Sequence, residues 1–541
     1  MTCGQSRIAN IDGVDRLGRP GGVLFIQEQF NFLRGSPLGA VSRGKKVVSA
    51  KTDKPNIVLI FSDQHRGDAL GCVGNPIVRT PHLDELAAEG VTFKSCSTSS
   101  PLCMPARASL VTGQYVNEHG SWGNRHEADR FGQSHVRNIR DAGYCTAVFG
   151  KTHFRVPQVD AGHTRERIGE LNDWGYEIAH EVIETPSANN RCNYADFLAE
   201  KKKLQIYENA MATWKMGQAN GHLRPWEHPP NQLEEGEHVD AYIIDRAIDW
   251  VQRYDDTRPF YLQVALVGPH PPFDAPIRYR DMFSPEDMPL AILEPPAEPI
   301  SPQVERMLRR RGLPDMTDSQ NRLMISHYYA KIAFDDDVIG QVIQSLKNQR
   351  LMDNTWIIYT SDHGEMLGDH KLVQKVVFYE GAVNIPLIIR PPGGTKPWMA
   401  NGLTDHYDIV NTMLDAADGA SLESDHGVSL IPKIDAGAGV TTAQQGKDVT
   451  FSEVNLYSMA RTERYKMTIG SITRQPMELY DMKNDPDELR NLVNESSLSP
   501  VRDEMCHEHF SKLLHNINKT QLEIAEIGGI PTEIHQDYPE Y

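Results

Sequence analysis

The chain has 541 residues, 39% apolar and 24% charged, with 41 glycines and 34 prolines, a composition of the soluble globular kind and long enough to bury an enzyme-sized core. Lys+Arg 55 against Asp+Glu 73 leave a net charge of −18, which argues against non-specific nucleic-acid binding and means that any anion site must carry its own local cations. The seven cysteines include no C-x-x-C pair, no stretch nears the ~18 apolar residues of a membrane helix, and no signal-type apolar run opens the chain; the expectation is a reduced, cytoplasmic protein without disulfide framework, zinc ribbon or membrane contact.

Residues 1–54 read as an N-terminal extension, Gly-rich and basic towards Arg43, Lys45 and Lys46, with only short apolar pieces. From Pro55 the pattern becomes regular. Asn56, Ile57, Val58, Leu59, Ile60 and Phe61 form a β-branched apolar run of the type buried in parallel sheets. Thr80 and Pro81 predict a helix start, with Thr80 as N-cap, Leu83, Leu86 and Ala87 on one face, and Gly90 as the stop. Further apolar runs predict strands over 146–149, 260–267, 355–359 and 386–389, with a long helix over 325–346. Strand and helix in alternation indicate a doubly wound α/β sheet. The segment 174–237 is an irregular insertion carrying Trp174, Tyr176, Trp214 and Trp226, suited either to roof a crevice or to pack a lobe of its own. Beyond about Asp448, alternating runs over 449–454, 465–469 and 477–480 predict a small antiparallel sheet, then a helical stretch over 506–517.

The residues just past each predicted strand point to the function. The first strand ends in Ser62, Asp63, Gln64 and His65; the second in Gly150, Lys151, Thr152 and His153; the third in Gly268, Pro269 and His270; the fourth in Ser361, Asp362 and His363. In open α/β sheets ligands bind beyond the carboxyl ends of the strands, so Asp, Lys, His and Asp-His converge on one crevice. Any one of these alone is more simply a helix cap or a solvated turn; four together are not.

The most specific signal is Cys103, Met104, Pro105, Ala106 and Arg107, followed by a small-residue stretch to Thr112 and Gly113. Pro105 fits the first turn of a helix, which places residue 103 at the positive helix end, and Arg107 falls one turn on along the same face. This C-x-P-x-R pattern, with Asp63 and Gln64 upstream and Asp362, His363, Gly364 and Glu365 downstream, resembles the sulfatases. The resemblance extends from residue 56 to about 492 and takes in Leu479, Tyr480, Asp481, Asp485 and Pro486. It implies an alkaline-phosphatase-like doubly wound mixed sheet over 55–447, with an insertion at about 160–237, and a C-terminal subdomain over 448–541 with a smaller antiparallel sheet.

The resemblance further implies that an enzyme oxidises Cys103 to formylglycine. As its hydrate this is a geminal diol: one hydroxyl attacks, and the other stays to expel the esterified anion as the aldehyde reforms, a route closed to plain Cys or Ser. By the same resemblance, Asp63, Gln64, Asp362, His363 and residue 103 bind one divalent cation. Gln64 stands where many sulfatases have a second Asp, and His363 where many have Asn, which resembles choline sulfatases and phosphonate monoester hydrolases. Oxygen ligands suit Ca²⁺ and an imidazole admits Mn²⁺. Arg107 is expected to hold the diol, Lys151 and His153 to bind it and regenerate the aldehyde with His153 as base, and His270 and Lys375 to contact the oxyanion and leaving group with His270 as general acid. The expected substrate is a small-molecule or sugar sulfate ester, the expected partner a formylglycine-generating enzyme, and the C-terminal tail 528–541 resembles those that cross to a second subunit in homo-oligomeric hydrolases. Two other readings stay open: a phosphonate monoester or phosphodiester hydrolase using the same site, and a sulfatase-like binding protein without turnover.

Overall fold

The computed structural model describes residues 54–156, 162–183, 191–219, 224–424, 426–439 and 446–516. The expected extension, apart from Lys54, and the tail 528–541 lie outside the described residues. Strands β1 (Asn56–Asp63), β2 (Val91–Ser97), β3 (Cys145–Gly150), β4 (Ile178–Glu181), β5 (Phe260–Pro269), β6 (Thr355–Ser361), β7 (Asn384–Ile385), β8 (Leu387–Arg390) and β9 (Trp398–Asp405) form one sheet in the order β4-β3-β5-β1-β6-β8-β2-β7, with β9 beside β2. The stretch from β4 to β6 is parallel, whereas β8 runs antiparallel to both β6 and β2, which makes the sheet mixed.

Every residue of β1, β3, β5 and β6 is buried, which is why each reads as an unbroken apolar run. Strand period 2 divides β1 between the two faces. Val58 and Ile60 pack on one side with Ile243 and Ala247 of the Val239–Arg253 helix and Ile332 and Ile339 of the Asp318–Asn348 helix. Ile57, Leu59 and Phe61 pack on the other with Leu110 and Val111 of the Cys103–Thr112 helix and Ile409, Val410 and Met413 of the His406–Ala417 helix. The sheet is therefore covered on both faces, as the alternation of elements predicts.

Some local expectations are corrected. The Pro81–Ala88 helix forms and buries Leu83, Leu86 and Ala87, but Thr80 makes no side-chain cap. Its hydroxyl instead accepts from Gly71 N at 2.9 Å and donates to Asp84 Oδ1 at 3.1 Å. The free N–H groups of His82 and Leu83 go to the Asp336 carboxylate on the long helix, at 3.0 and 2.9 Å. A tertiary contact has taken over the cap. In the insertion, Trp174 and Tyr176 join the core on one face of the sheet and Trp226 joins the core on the other, so these aromatics pack the body of the fold.

Four antiparallel strands, β10 (Val449–Val454), β11 (Tyr457–Thr462), β12 (Tyr465–Gly470) and β13 (Pro476–Asp481), form a second sheet in sequence order. Phe451, Met467 and Leu479 of this sheet bury against Met505, Phe510 and Leu513 of the helical segment at its C-terminal side. Among the described residues, the six cysteines are free, and no helix is long and apolar enough to cross a membrane.

Candidate active site

The carboxyl ends of the parallel strands deliver the expected residues to one place. Asp63 ends β1, Cys103 opens the Cys103–Thr112 helix, and Asp362 and His363 come directly after β6. Asp63, Cys103, Asp362 and His363 are all buried, and each offers a ligand atom within 4.8 Å of all the others. His363 Nε2 lies 3.2 Å from Cys103 Sγ and 3.6 Å from Asp362 Oδ1. Its Nδ1–H donates to the Gly364 carbonyl at 2.9 Å, so the Nε2 lone pair faces the cluster, the tautomer that a metal ligand needs.

The electrostatics of this cluster fit a divalent cation. Burial opposes ionisation of Asp63, but Lys151, His270, Arg107 and Lys375 together hold its carboxyl well below the usual range. Burial and the charge of Asp63 push the Asp362 carboxyl up to about 7. The protein's own cations therefore settle one carboxylate and leave the second in need of positive charge. Burial, then the charge of Lys375, drives the His363 imidazole well below its ordinary value and keeps it neutral, as a ligand must be. Burial and the Asp63 charge push the Cys103 thiol up to about 12, so as a plain cysteine it stays protonated at neutral pH and is a poor nucleophile.

Three buried cations surround these acids, the local positive charge that the acidic chain requires of an anion site. Arg107 donates from Nη2 to Asp63 Oδ2 and from Nε to Asp362 Oδ2, both at 2.9 Å, and from Nη1 to the Lys151 carbonyl at 2.6 Å. Its guanidinium lies over the Phe61 ring, 5.0 Å from the centroid. With residue 103 as a thiol, the hydrogen bonds of Arg107 to the two carboxylates fix their orientation. Lys151 Nζ donates to Asp63 Oδ2. Lys375 Nζ lies 3.4 Å from Cys103 Sγ and also donates to Gln64 Oε1 at 2.6 Å. His153, two residues past Lys151, and His270, whose charge acts on Asp63, are both half-buried. His270 Nδ1–H donates to the Pro271 carbonyl at 2.7 Å, which fixes the orientation of the ring.

Two features of the site carry no clear mark in the sequence. Glu365, buried, accepts from Gln64 Nε2 through one oxygen and from Leu367 N at 3.0 Å and Gln374 N through the other. It fixes which way the Gln64 amide faces and ties the Lys375 loop to β1; its place in the run from Asp362 to Glu365 was the available signal. Asn124 Oδ1 accepts from Met104 N at 3.1 Å, capping the helix of residue 103 from a loop, a partnership with no local sequence signal. Backbone strain also gathers here. Gln64 (φ 70°), His153 (φ 51°), Gln374 (φ 69°) and Val376 (φ 75°) are all left-handed, a conformation costing about 1–3 kcal/mol each. Lys375 is held between two of them.

The model of the Sulfatase family matches residues 55–420, and that of the C-terminal region of N-sulphoglucosamine sulphohydrolase matches residues 368–516. Among relatives, the uncharacterized sulfatase YidJ of Escherichia coli (strain K12) is 30% identical over 474 residues, covering 84% of this chain and 86% of its own length. The choline-sulfatase of Rhizobium meliloti is 29% identical over 473 residues, covering 84% and 86%. The structure of the phosphonate monoester hydrolase of Agrobacterium radiobacter superposes with a TM-score of 0.70 at 25% identity, covering 86% of this chain and 96% of that one. The fold is the alkaline-phosphatase-like one expected of such proteins. With a family match over most of its length and a cysteine, two carboxylates and a histidine gathered at the ends of its central strands, the chain belongs to the sulfatase family.

Proposed function

We propose that this protein is a sulfuric ester hydrolase whose nucleophile is the hydrated formylglycine made from Cys103, acting with one divalent cation. The observation that carries the reading is the setting of residue 103. Its side chain sits against His363 and Lys375 within the Asp63–Asp362 cluster, in a place where a thiol stays protonated. Asp63, Asp362, His363 and residue 103 would hold the cation, with Gln64 beside them. When bound, it would lower the pKa of the attacking hydroxyl and screen an ester oxygen. Lys375 and Lys151 would neutralise the sulfate oxygens, and Arg107 would keep the two carboxylates in register. His270 would donate its Nε2 proton to the departing alcohol oxygen, and His153 would take the proton of the remaining hydroxyl on residue 103 as the aldehyde reforms.

Chelation should abolish activity, and Ca²⁺ or Mn²⁺ should restore it, the comparison of the two deciding the metal. Asp362→Asn should weaken metal affinity by at least the ~10–100-fold typical of groups that merely support a ligand, read by titration calorimetry. Fully active protein found free of divalent metal would refute the assignment of Asp63, Asp362 and His363.

A second reading is favoured by one observation. Gln64 presents a neutral amide to Lys375 where a carboxylate would add negative charge, and the structural relative from Agrobacterium radiobacter is named a phosphonate monoester hydrolase. A monoanionic tetrahedral phosphorus centre has the shape and charge of a sulfate ester. Initial rates on paired aryl sulfate and aryl phosphonate monoesters decide the matter: a higher kcat/KM on the sulfate is expected, and the reverse order would make phosphonate hydrolysis the principal activity.

A further inference from the structure

The turn that carries His270 is held from below by buried charge. Val267 N and Gly268 N both donate to Asp240 Oδ1, at 2.7 and 3.1 Å. Asp240 belongs to the Val239–Arg253 helix, and its other oxygen accepts from Lys331 Nζ at 2.6 Å. Lys331, 2% exposed in the middle of the Asp318–Asn348 helix, also donates to Asp335 Oδ1 at 2.6 Å. The ammonium lies so close to the turn that a Cβ on Gly268 would stand 2.4 Å from it and 2.2 Å from Asp335 Oδ2. Only glycine fits there.

The far side of the turn is held by the same network. Asp274 Oδ2 accepts from Asn231 Nδ2 at 2.9 Å, and Asp274 Oδ1 faces His238 Nε2 at 3.4 Å. His238 Nδ1 accepts from Asp240 N at 3.3 Å, so the ring proton sits on Nε2 and points at Asp274. The circuit runs from Asp240 to Gly268, through His270 to Asp274, and back through His238. His270, Asp240, Asp274 and Lys331 line one pocket of about 20 Å³, space for about one water. Burial opposes the charge on Asp240, but Lys331 keeps it ionised, whereas burial drives the Asp335 carboxyl well above its ordinary value so that it keeps its proton. Asp240 and Lys331 are thus a buried ion pair, and Asp274, whose carboxyl the neighbouring His238 holds low against the effect of burial, is a second anion at the far end of the turn. A buried pair of this kind adds little stability over apolar residues of equal volume. What it supplies here is position.

We propose that Asp240 and Lys331 are positioning residues for His270, clamping the turn of residues 267–274 so that Nε2 is aimed at the leaving-group oxygen. The proposal rests on the reading of His270 as general acid.

The test uses the full-length, metal-loaded enzyme and the variants Asp240→Asn, His270→Ala and their double, each measured on an alkyl and an aryl sulfate. Asp240→Asn is expected to lower kcat on the alkyl ester by roughly 10–100-fold, the usual cost of misplacing a reacting group by about 1 Å, with KM nearly constant and a several-fold smaller loss on the aryl ester. In the His270→Ala background it should add almost nothing. Losses that are equal on both esters, or that multiply in the double variant, would overturn the proposal, because a merely structural role gives those results. Should Asp240→Asn fail to fold, Asn231→Ala loosens the Asp274 end and carries the same test, with an alkyl-selective loss expected and an unselective loss overturning the proposal. His270→Ala without leaving-group dependence would sink the acid reading alone. Non-additivity with Asp240→Asn would still decide whether the clamp positions His270.

Discussion

Cys103→Ala is expected to fold, to retain a more weakly held metal on its three remaining ligands and to lose turnover by roughly 10⁴–10⁶-fold, the scale of removing a nucleophile that acts in concert with its neighbours. The fold survives because the change removes one sulfur atom from a core built from both faces of a nine-stranded sheet, at a cost of about 1 kcal/mol. The metal stays because Asp63, Asp362 and His363 are untouched. Turnover goes because no other side chain beside the cluster can attack and then be released. Thermal unfolding, metal titration and rates on one aryl sulfate separate the three outcomes. The companion measurement is peptide mass mapping of active wild-type protein, where residue 103 should carry the aldehyde in place of the thiol. Full activity with an unmodified thiol at residue 103 would remove the basis for the proposed nucleophile.

His270→Ala and His153→Ala should fail in different ways. If His270 protonates the leaving oxygen, its loss should cost roughly 10²–10⁴-fold on an alkyl ester and much less on a nitrophenyl ester, whose phenolate departs almost unaided. Loss of His153 should slow the release of the esterified anion from residue 103 to a similar degree whatever the alcohol, since that group has already gone. A leaving-group series with single-turnover bursts distinguishes them, the His153 variant alone showing a burst of alcohol and then slow turnover. Equal sensitivity of both variants to leaving-group pKa would show that the two roles are assigned wrongly.

Much of the fold was legible because burial writes itself into parallel strands. β1, β3, β5 and β6 are enclosed on both faces, so their sequences are continuous apolar runs, and the residues just past each run fall at the ligand-binding edge. β9, with Met399 and Asn401 outward and Thr404 and Asp405 at its end, owes its existence to pairing with β2, a partner some three hundred residues earlier. β11 likewise mixes Ser458, Met459, Ala460 and Arg461, and takes its strand form from the neighbours on either side. The site divides in the same way. Residue types at strand ends could be read, but who bonds to whom could not. Arg107 meets Asp362 across 255 positions and Gln64 meets Glu365 across 301, and nothing local prefers those acids to the sulfur of residue 103.

The depth of residue 103 bears on the order of events in the life of the chain. Cys103 is 1% exposed, and Met104, Pro105, Ala106 and Arg107 are buried with it. Its neighbours Asp63 and Asp362 come from strands that must already be zipped together for the cluster to exist. Once that has happened, these five residues offer almost no surface to any other protein. On the reading proposed above, conversion of Cys103 by an enzyme precedes this closure and belongs to the nascent or unfolded polypeptide. A molecule that closes too early is sealed with its thiol inside, and recovers a second chance only by unfolding.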